Sequence, residues 1–232
     1  MSLYLILNLA SISIPFIYSF EKKMYFIKWW KQVFLSIAIV AAIFIIWDVI
    51  FTDLGVWGFN EQYLVGLDLI NLPIEEWLFF ICIPYACIFT HYAFQYFLPK
   101  VSLSPKVTNA ITITFILVLL LVIISNTDKA YTFYNYSLVI LILIYRLITQ
   151  NRQLRIFYIT FLIILVPFFI VNGILTGTYI EDPVVWYNNE ENLGIRLGTI
   201  PIEDIGYAFS MLFLNIILIE KFKSKSGGQR KG

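Results

Sequence analysis

The sequence predicts an all-α integral membrane protein of about seven transmembrane helices, built from two parallel three-helix repeats joined by a linking helix. Three observations carry this expectation. The chain of 232 residues is 60% hydrophobic and only 13% charged, with a mean hydropathy of +0.82, unlike an ordinary soluble domain. Seven apolar stretches are each long enough, at roughly 20 residues, to cross a bilayer as a helix. A short acidic phrase, Leu72-Pro73-Ile74-Glu75-Glu76, recurs 128 residues later as Ile200-Pro201-Ile202-Glu203-Asp204, and each copy opens one of those stretches.

In order, the stretches fall near residues 3–20, 33–51, 73–98, 107–125, 131–149, 156–176 and 201–220. The first has the length of a signal peptide but lacks a basic start and a small-residue cleavage site, so it reads as a retained span. The third and seventh carry the acidic phrases at their heads. Proline suits the first turn of any helix, and carboxylates there complement the helix dipole. Here, however, the phrase runs directly into apolar sequence, where ionisable groups are costly and mark function. The loops ahead of the phrases, 52–72 and 177–200, hold Trp57, Phe59, Tyr63, Trp186, Tyr187 and seven acids; an interfacial aromatic belt and solvated outer loops account for many of them.

Sliding the chain on itself by 128 residues extends the repeat without a gap: Phe59 falls on Tyr187, Asn60 on Asn188, Gly66 on Gly194, and Pro73-Ile74-Glu75 on Pro201-Ile202-Glu203. Upstream, Trp47-Asp48 corresponds to Val171-Asn172-Gly173. The expected organisation is a first repeat over 1–99, a linking span over 100–127 and a second repeat over 128–232. Three spans plus one make an even step, so the copies share one orientation in the membrane, and the two acidic phrases are expected to serve one site.

Charge supplies the topology. Lys22, Lys23, Lys28, Lys31, Lys100, Lys106, Arg146, Arg152, Arg155, Lys221, Lys223, Lys225, Arg230 and Lys231 are 14 of the 16 basic residues and lie on alternate connections and the tail. That side is cytoplasmic, which puts the amino terminus outside, the carboxyl terminus inside and both acidic phrases toward the outer leaflet of the cell membrane. The basic residues form no nucleic-acid reading face. Cys82, Cys87 and His91 have no metal or redox spacing, so no metal site is expected. His91 lies 16 residues beyond Glu75, ~24 Å along a helix, and reads as an interface residue.

A carboxyl group in an apolar pocket beside a second carboxyl favours its protonated form and can act as a general acid, while a deprotonated neighbour can stabilise positive charge or recover the proton. Aromatic faces stabilise a cation through the ring quadrupole, and Trp77, Phe79, Phe80, Tyr207 and Phe209 lie about one turn inside the acidic phrases. These parts suit acid-initiated chemistry on an alkene dissolved in the membrane. A retinal protein would need a mid-membrane lysine, which the sequence lacks. A transporter with buried acids remains an alternative.

The paired Pro-x-Glu-Glu and Pro-x-Glu-Asp helix heads resemble the flavin-independent lycopene cyclase domain in its fused form. The second half carries the fuller resemblance: Asn172-Gly173-Ile174-Leu175-Thr176-Gly177, Glu181-Asp182-Pro183, Tyr187-Asn188, Gly194-Ile195-Arg196 and Pro201-Ile202-Glu203-Asp204. Trp47-Asp48, Trp57-Gly58-Phe59-Asn60 and Pro73-Ile74-Glu75-Glu76 with Phe79-Phe80 fit in the first half; Ala208 replaces the second aromatic of that last pair. The resemblance implies cyclisation of the linear ends of lycopene through γ-carotene to β-carotene, without net redox change. It implies Glu75 and Glu203 as acid and base carboxylates and Glu76 and Asp204 as their partners. Asp48, Asn60, Asn172, Asn188 and Arg196 would orient them, and Trp57, Trp77, Phe79, Phe80, Tyr187 and Tyr207 would line the substrate. No cofactor is expected: no Gly-x-Gly-x-x-Gly turn is present. The implied partners are a lipid-soluble carotenoid and the bilayer, with no nucleic acid, and the reading admits association with other carotenoid-pathway enzymes. A carotenoid hydratase would share the first protonation and let water quench the cation.

The charge asymmetry is directly testable. A reporter fused after Lys225 should be cytoplasmic and one inserted near Glu190 external; the opposite labelling pattern would reverse the orientation.

Overall fold

Seven α-helices stand in place of the seven apolar stretches in a computed structural model that describes residues 2–149 and 152–228, with side chains described no further than Lys225. They are α1 (Leu3–Tyr18), α2 (Trp30–Asp53), α3 (Ile74–Phe97), α4 (Pro105–Ile124), α5 (Ala130–Thr149), α6 (Arg152–Leu175) and α7 (Glu203–Gly228). Arg230 and Lys231 of the basic tail lie outside the described residues. Among the described residues, six helices are long and apolar enough to span a membrane, which makes this a multi-pass membrane protein; α1, with 16 residues, is shorter. At 1.5 Å per residue α1 is roughly 24 Å long, against a ~30 Å hydrocarbon core. The expected helices are thus present, as six long ones and one shorter apolar helix among the described residues.

The helices also overrun the apolar stretches. The sixth begins at Arg152 rather than 156, and the seventh runs on to Gly228 rather than stopping at 220. Backbone hydrogen bonding continues past the point where side chains cease to match lipid, and hydropathy reports only the latter. Local signals set several ends. Ser2 caps α1 by accepting from the Leu5 N–H at 3.0 Å, and Ser104 caps α4 ahead of Pro105 by accepting from the Val107 N–H at 3.3 Å, as short hydroxyl side chains do. Pro15, Pro84 and Pro167 sit inside α1, α3 and α6, a placement that membrane helices tolerate.

Packing divides the chain into two compact units. The first holds the chain up to Val49, Leu64–Lys100 and the chain from Met211. Within it α1 packs along α3, and Phe26, Tyr85, Ile88 and Tyr92 form a core with Val33, Ile37 and Ile219. The Tyr85 hydroxyl pairs with Ser19 Oγ at 2.6 Å and accepts from Trp30 Nε1 at 2.9 Å. The second unit holds Ile50–Tyr63 and Val101–Ser210. There α4 packs on α5, and the Phe209 ring meets Phe157 at 5.2 Å and Phe161 at 5.3 Å.

Short strands build the loops ahead of the acidic phrases. β1 (Trp57–Phe59), β2 (Asp68–Leu69) and β3 (Leu72–Pro73) precede α3; β4 (Val185–Tyr187), β5 (Arg196–Leu197) and β6 (Ile200–Pro201) precede α7. Each hairpin, β2–β3 and β5–β6, delivers its proline directly into a helix, with Asp68 opposite Pro73 and Arg196 opposite Pro201. β1 pairs antiparallel with β4, Trp57 opposite Tyr187 and Phe59 opposite Val185. At the 128-residue offset Trp57 corresponds to Val185 and Phe59 to Tyr187, so the ribbon is self-complementary about Gly58 and Trp186, as in a two-fold contact. The pair at its centre is unequal: a Cβ at Gly58 would lie 2.3 Å from the Trp186 ring.

The hairpin tips differ in one informative way. The second copy places Gly198 at φ 67°, whereas the first places Ile70 at φ 65°. A β-branched residue there costs roughly 1–2 kcal/mol, which glycine avoids at the expense of extra entropy in the unfolded chain. Ile70→Gly should therefore raise stability by about 0.5–1 kcal/mol, seen as a higher melting temperature in detergent.

Candidate active site

Each acidic phrase becomes the first turn of its helix, Glu75-Glu76 on α3 and Glu203-Asp204 on α7, and all four side chains are buried. A buried carboxyl group requires donors. In the first unit Glu75 Oε1 accepts from Ser2 Oγ at 2.6 Å and from the Val65 N–H at 2.7 Å. Asn8 Nδ2 donates to the Glu75 carbonyl at 2.8 Å, and the Tyr4 hydroxyl donates to Glu76 Oε2.

The second unit repeats this set. Glu203 Oε1 accepts from Thr132 Oγ1 at 2.7 Å and from the Leu193 N–H at 2.8 Å. Asn135 Nδ2 donates to the Glu203 carbonyl at 2.6 Å, and the Tyr131 hydroxyl donates to Asp204 Oδ1 at 2.6 Å. Asp204 Oδ2 accepts further bonds from Asn172 Nδ2 and the Tyr187 hydroxyl, both at 3.0 Å. In each unit the second oxygen of the glutamate, Oε2, is buried without a hydrogen-bond partner among the described residues.

The loop hairpins aim the backbone donors. The Ile74 N–H bonds the Leu67 carbonyl at 2.8 Å and the Ile202 N–H the Ile195 carbonyl at 3.0 Å. Gly66 at φ 84° and Gly194 at φ 69° follow the donating residues directly. This left-handed turn suits glycine and turns the chain back so that Val65 and Leu193 face the glutamates.

Aromatic rings adjoin both carboxyl pairs. Tyr4 lies 6.2 Å from Phe79, which meets Phe80 at 5.8 Å. In the second unit Trp57 stands 5.1 Å from Tyr131, 6.1 Å from Tyr187 and 6.4 Å from Tyr207. Tyr131 and Tyr187 are stacked at 5.9 Å. Thus Trp57, Asn172, Tyr187, Asp204 and Tyr207 come together around Tyr131.

Other sequence-expected residues take different places. Asn60 and Asn188 cap their own loops, accepting from the Gln62 N–H at 3.1 Å and the Glu190 N–H at 3.0 Å. Arg196 bonds the Thr199 carbonyl at 2.7 Å and Asn189 Oδ1 at 2.8 Å, and lies over the Tyr187 ring at 5.8 Å; it touches the Asp204 donor rather than Asp204. Trp77 Nε1 donates to the Leu69 carbonyl at 3.3 Å. Asp48 is buried on α2, Phe80 and Ala208 are buried on their helices, and Phe209 packs into the α6 rings. His91 is buried on α3, 2.6 Å from Gln95 Nε2. Among the described residues, no three His, Cys, Asp or Glu side chains are grouped to hold a metal ion.

Sequence reasoning missed Ser2, Tyr4, Asn8, Tyr131, Thr132 and Asn135. A signal was present: Tyr4-x-x-x-Asn8 and Tyr131-x-x-x-Asn135 repeat at a spacing of 127, one residue off the register of the acidic phrases. Tyrosine and asparagine four apart share a helix face. The hydroxyl donors sit two before Tyr4 and one after Tyr131, a difference of three that also preserves the face.

A family model described as lycopene cyclase matches residues 1–97 and 128–222. No curated protein and no solved structure matches the chain.

Thr132→Val keeps the shape of the side chain and removes the donor to Glu203 Oε1. Leaving that buried oxygen with the Leu193 N–H alone should cost about 1–3 kcal/mol, measurable as a lower melting temperature in detergent.

Proposed function

This chain belongs to the lycopene cyclase family, as a carotenoid enzyme built on membrane-spanning helices, and we propose that it converts lycopene through γ-carotene to β-carotene as a redox-neutral isomerase. A proton is delivered to the terminal double bond of the linear end, leaving a tertiary cation. The internal double bond attacks that cation and closes the six-membered ring, and loss of a ring proton sets the ring double bond. One proton enters and one leaves, so no flavin or nicotinamide is required.

The observation that carries this reading is the state of the two glutamates. Glu75 and Glu203 each have one oxygen anchored by a hydroxyl and a backbone N–H, and a second oxygen buried without a hydrogen-bond partner among the described residues. That second oxygen is the atom assigned to give or take the proton. Glu76 and Asp204 act as partners, and the Tyr131, Tyr187, Trp57 and Tyr207 rings stabilise the cation and keep water from it. The carboxyl pairs face the outer leaflet, with the carboxyl terminus cytoplasmic, as the charge distribution supports.

The test is expression in a lycopene-accumulating host and chromatography of the pigments, followed by assay of washed membranes without added flavin or nicotinamide. Cyclic product is expected; a hydroxylated product would instead favour a hydratase, and unchanged lycopene with altered uptake a transporter. Glu75→Gln and Glu203→Gln should each lower ring formation by roughly 10²–10⁴-fold, the contribution of a general acid or base, while the protein still inserts. Glu76→Gln and Asp204→Asn should cost less. Monocyclic product at near-normal rate from either glutamate variant would assign each acidic phrase its own end of the polyene.

A further inference from the structure

The ends of α4, α5 and α6 border an open cavity of about 140 Å³ that the carboxyl chemistry does not use, lined in part by Pro105, Thr108, Asn109, Arg146, Arg152 and Arg155. Three arginines thus line one small space of the second unit, with Arg152 at its exposed side. Arg146 is only 4% exposed, in the last turn of a membrane-spanning helix. Arg155 is held in place, its Nε donating to the Leu103 carbonyl at 2.6 Å and its Nη2 to Ser102 Oγ at 3.3 Å.

Among the described residues no acid lines the cavity, and residues 77–127 and 129–180, which contain every described lining residue, hold neither Asp nor Glu in the sequence. Two helix amino termini add to the positive field, since α4 begins at Pro105 and α6 at Arg152, and such ends attract anions. Thr108 and Asn109 contribute polar groups. Guanidinium groups bind phosphate through paired hydrogen bonds, and the volume suits a single phosphate group.

The surroundings are those of lipid. Val107 and Ile148, neighbours in sequence of lining residues, are 46% and 77% exposed, leaving apolar surface on which acyl chains can lie. Basic pockets between the ends of membrane helices are suited to anionic head groups. We propose that this cavity binds the phosphodiester of an anionic phospholipid, at a site separate from the carotenoid chemistry.

Native mass spectrometry and thermal unfolding of the full chain in detergent test this, with phosphatidylglycerol, phosphatidylcholine or inorganic phosphate added separately. Phosphatidylglycerol should be retained and should raise the melting temperature, and phosphatidylcholine should not. Arg152→Gln and Arg146→Gln should each weaken phosphatidylglycerol retention about fivefold. Arg152 is exposed, so its variant keeps the test open if loss of buried Arg146 prevents folding. Lys22→Gln, exposed and outside the cavity, should change nothing. Inorganic phosphate that stabilises as well as the lipid would keep the anion site and overturn lipid as its source. Equal retention of both lipids, or phosphatidylglycerol retention indifferent to Arg152→Gln, would overturn the site itself.

Discussion

Four carboxyl groups buried at the heads of two apolar helices are the constraint from which the local structure follows. Removing such a group from water costs several kcal/mol unless donors replace the lost hydration. Each copy meets that requirement in the same way. A helix laid alongside brings a hydroxyl, a tyrosine and an asparagine to one end, and a glycine turn brings a backbone N–H from the loop. The pairing of α1 with α3, the placement of α5 beside the head of α7, and the hairpins that deliver Pro73 and Pro201 into their helices all serve this single need. The helix dipole adds to it, because carboxyl groups in a first turn face the positive end.

Much of this was legible before any coordinates. Hydropathy located every helix, because length and apolarity are what a bilayer demands, and the duplicated Pro-x-Glu phrase identified the buried acids. What escaped were the donors. A tyrosine or asparagine near the end of an apolar stretch reads as part of an interfacial belt, and nothing in periodicity says which acid it will meet. The Tyr-x-x-x-Asn pair was also displaced by one residue from the gapless alignment, since α1 and α5 can slide in register against a partner without losing their shared face. Asn60 and Asn188 show the converse error. They sit at matched positions in the repeat, but their side chains hold loop backbone, a structural duty that repetition alone does not distinguish from a chemical one.

The two acidic pairs share a plan without being equal. Tyr187 donates to Asp204, yet its counterpart at position 59 is phenylalanine and has no hydroxyl to offer. Asn172 also donates to Asp204, and the residue 128 positions before it is Phe44, which has no amide to offer. The phenylalanine at 79 becomes a tyrosine at 207, and Phe80 becomes Ala208. The changes act in two ways: the second copy gains polar donors around its carboxyl pair, and the first gains apolar bulk.

That pattern bears on how neighbouring carboxyl groups come to differ. Asp204 receives three side-chain donors on its two oxygens, from Tyr131, Asn172 and Tyr187. Glu203, its neighbour in the chain, has one oxygen held by Thr132 and the Leu193 N–H and a second buried without a hydrogen-bond partner among the described residues. Adjacent residues on one helix turn thus differ in what surrounds them rather than in what they are. The rings of Trp57, Tyr131, Tyr187 and Tyr207 stand beside the same pair, so hydrogen-bond donors, an unpartnered carboxyl oxygen and aromatic faces are all assembled within the second unit. The differences between positions 59, 79 and 80 and positions 187, 207 and 208 thus give one helix-head plan different surroundings in the two units.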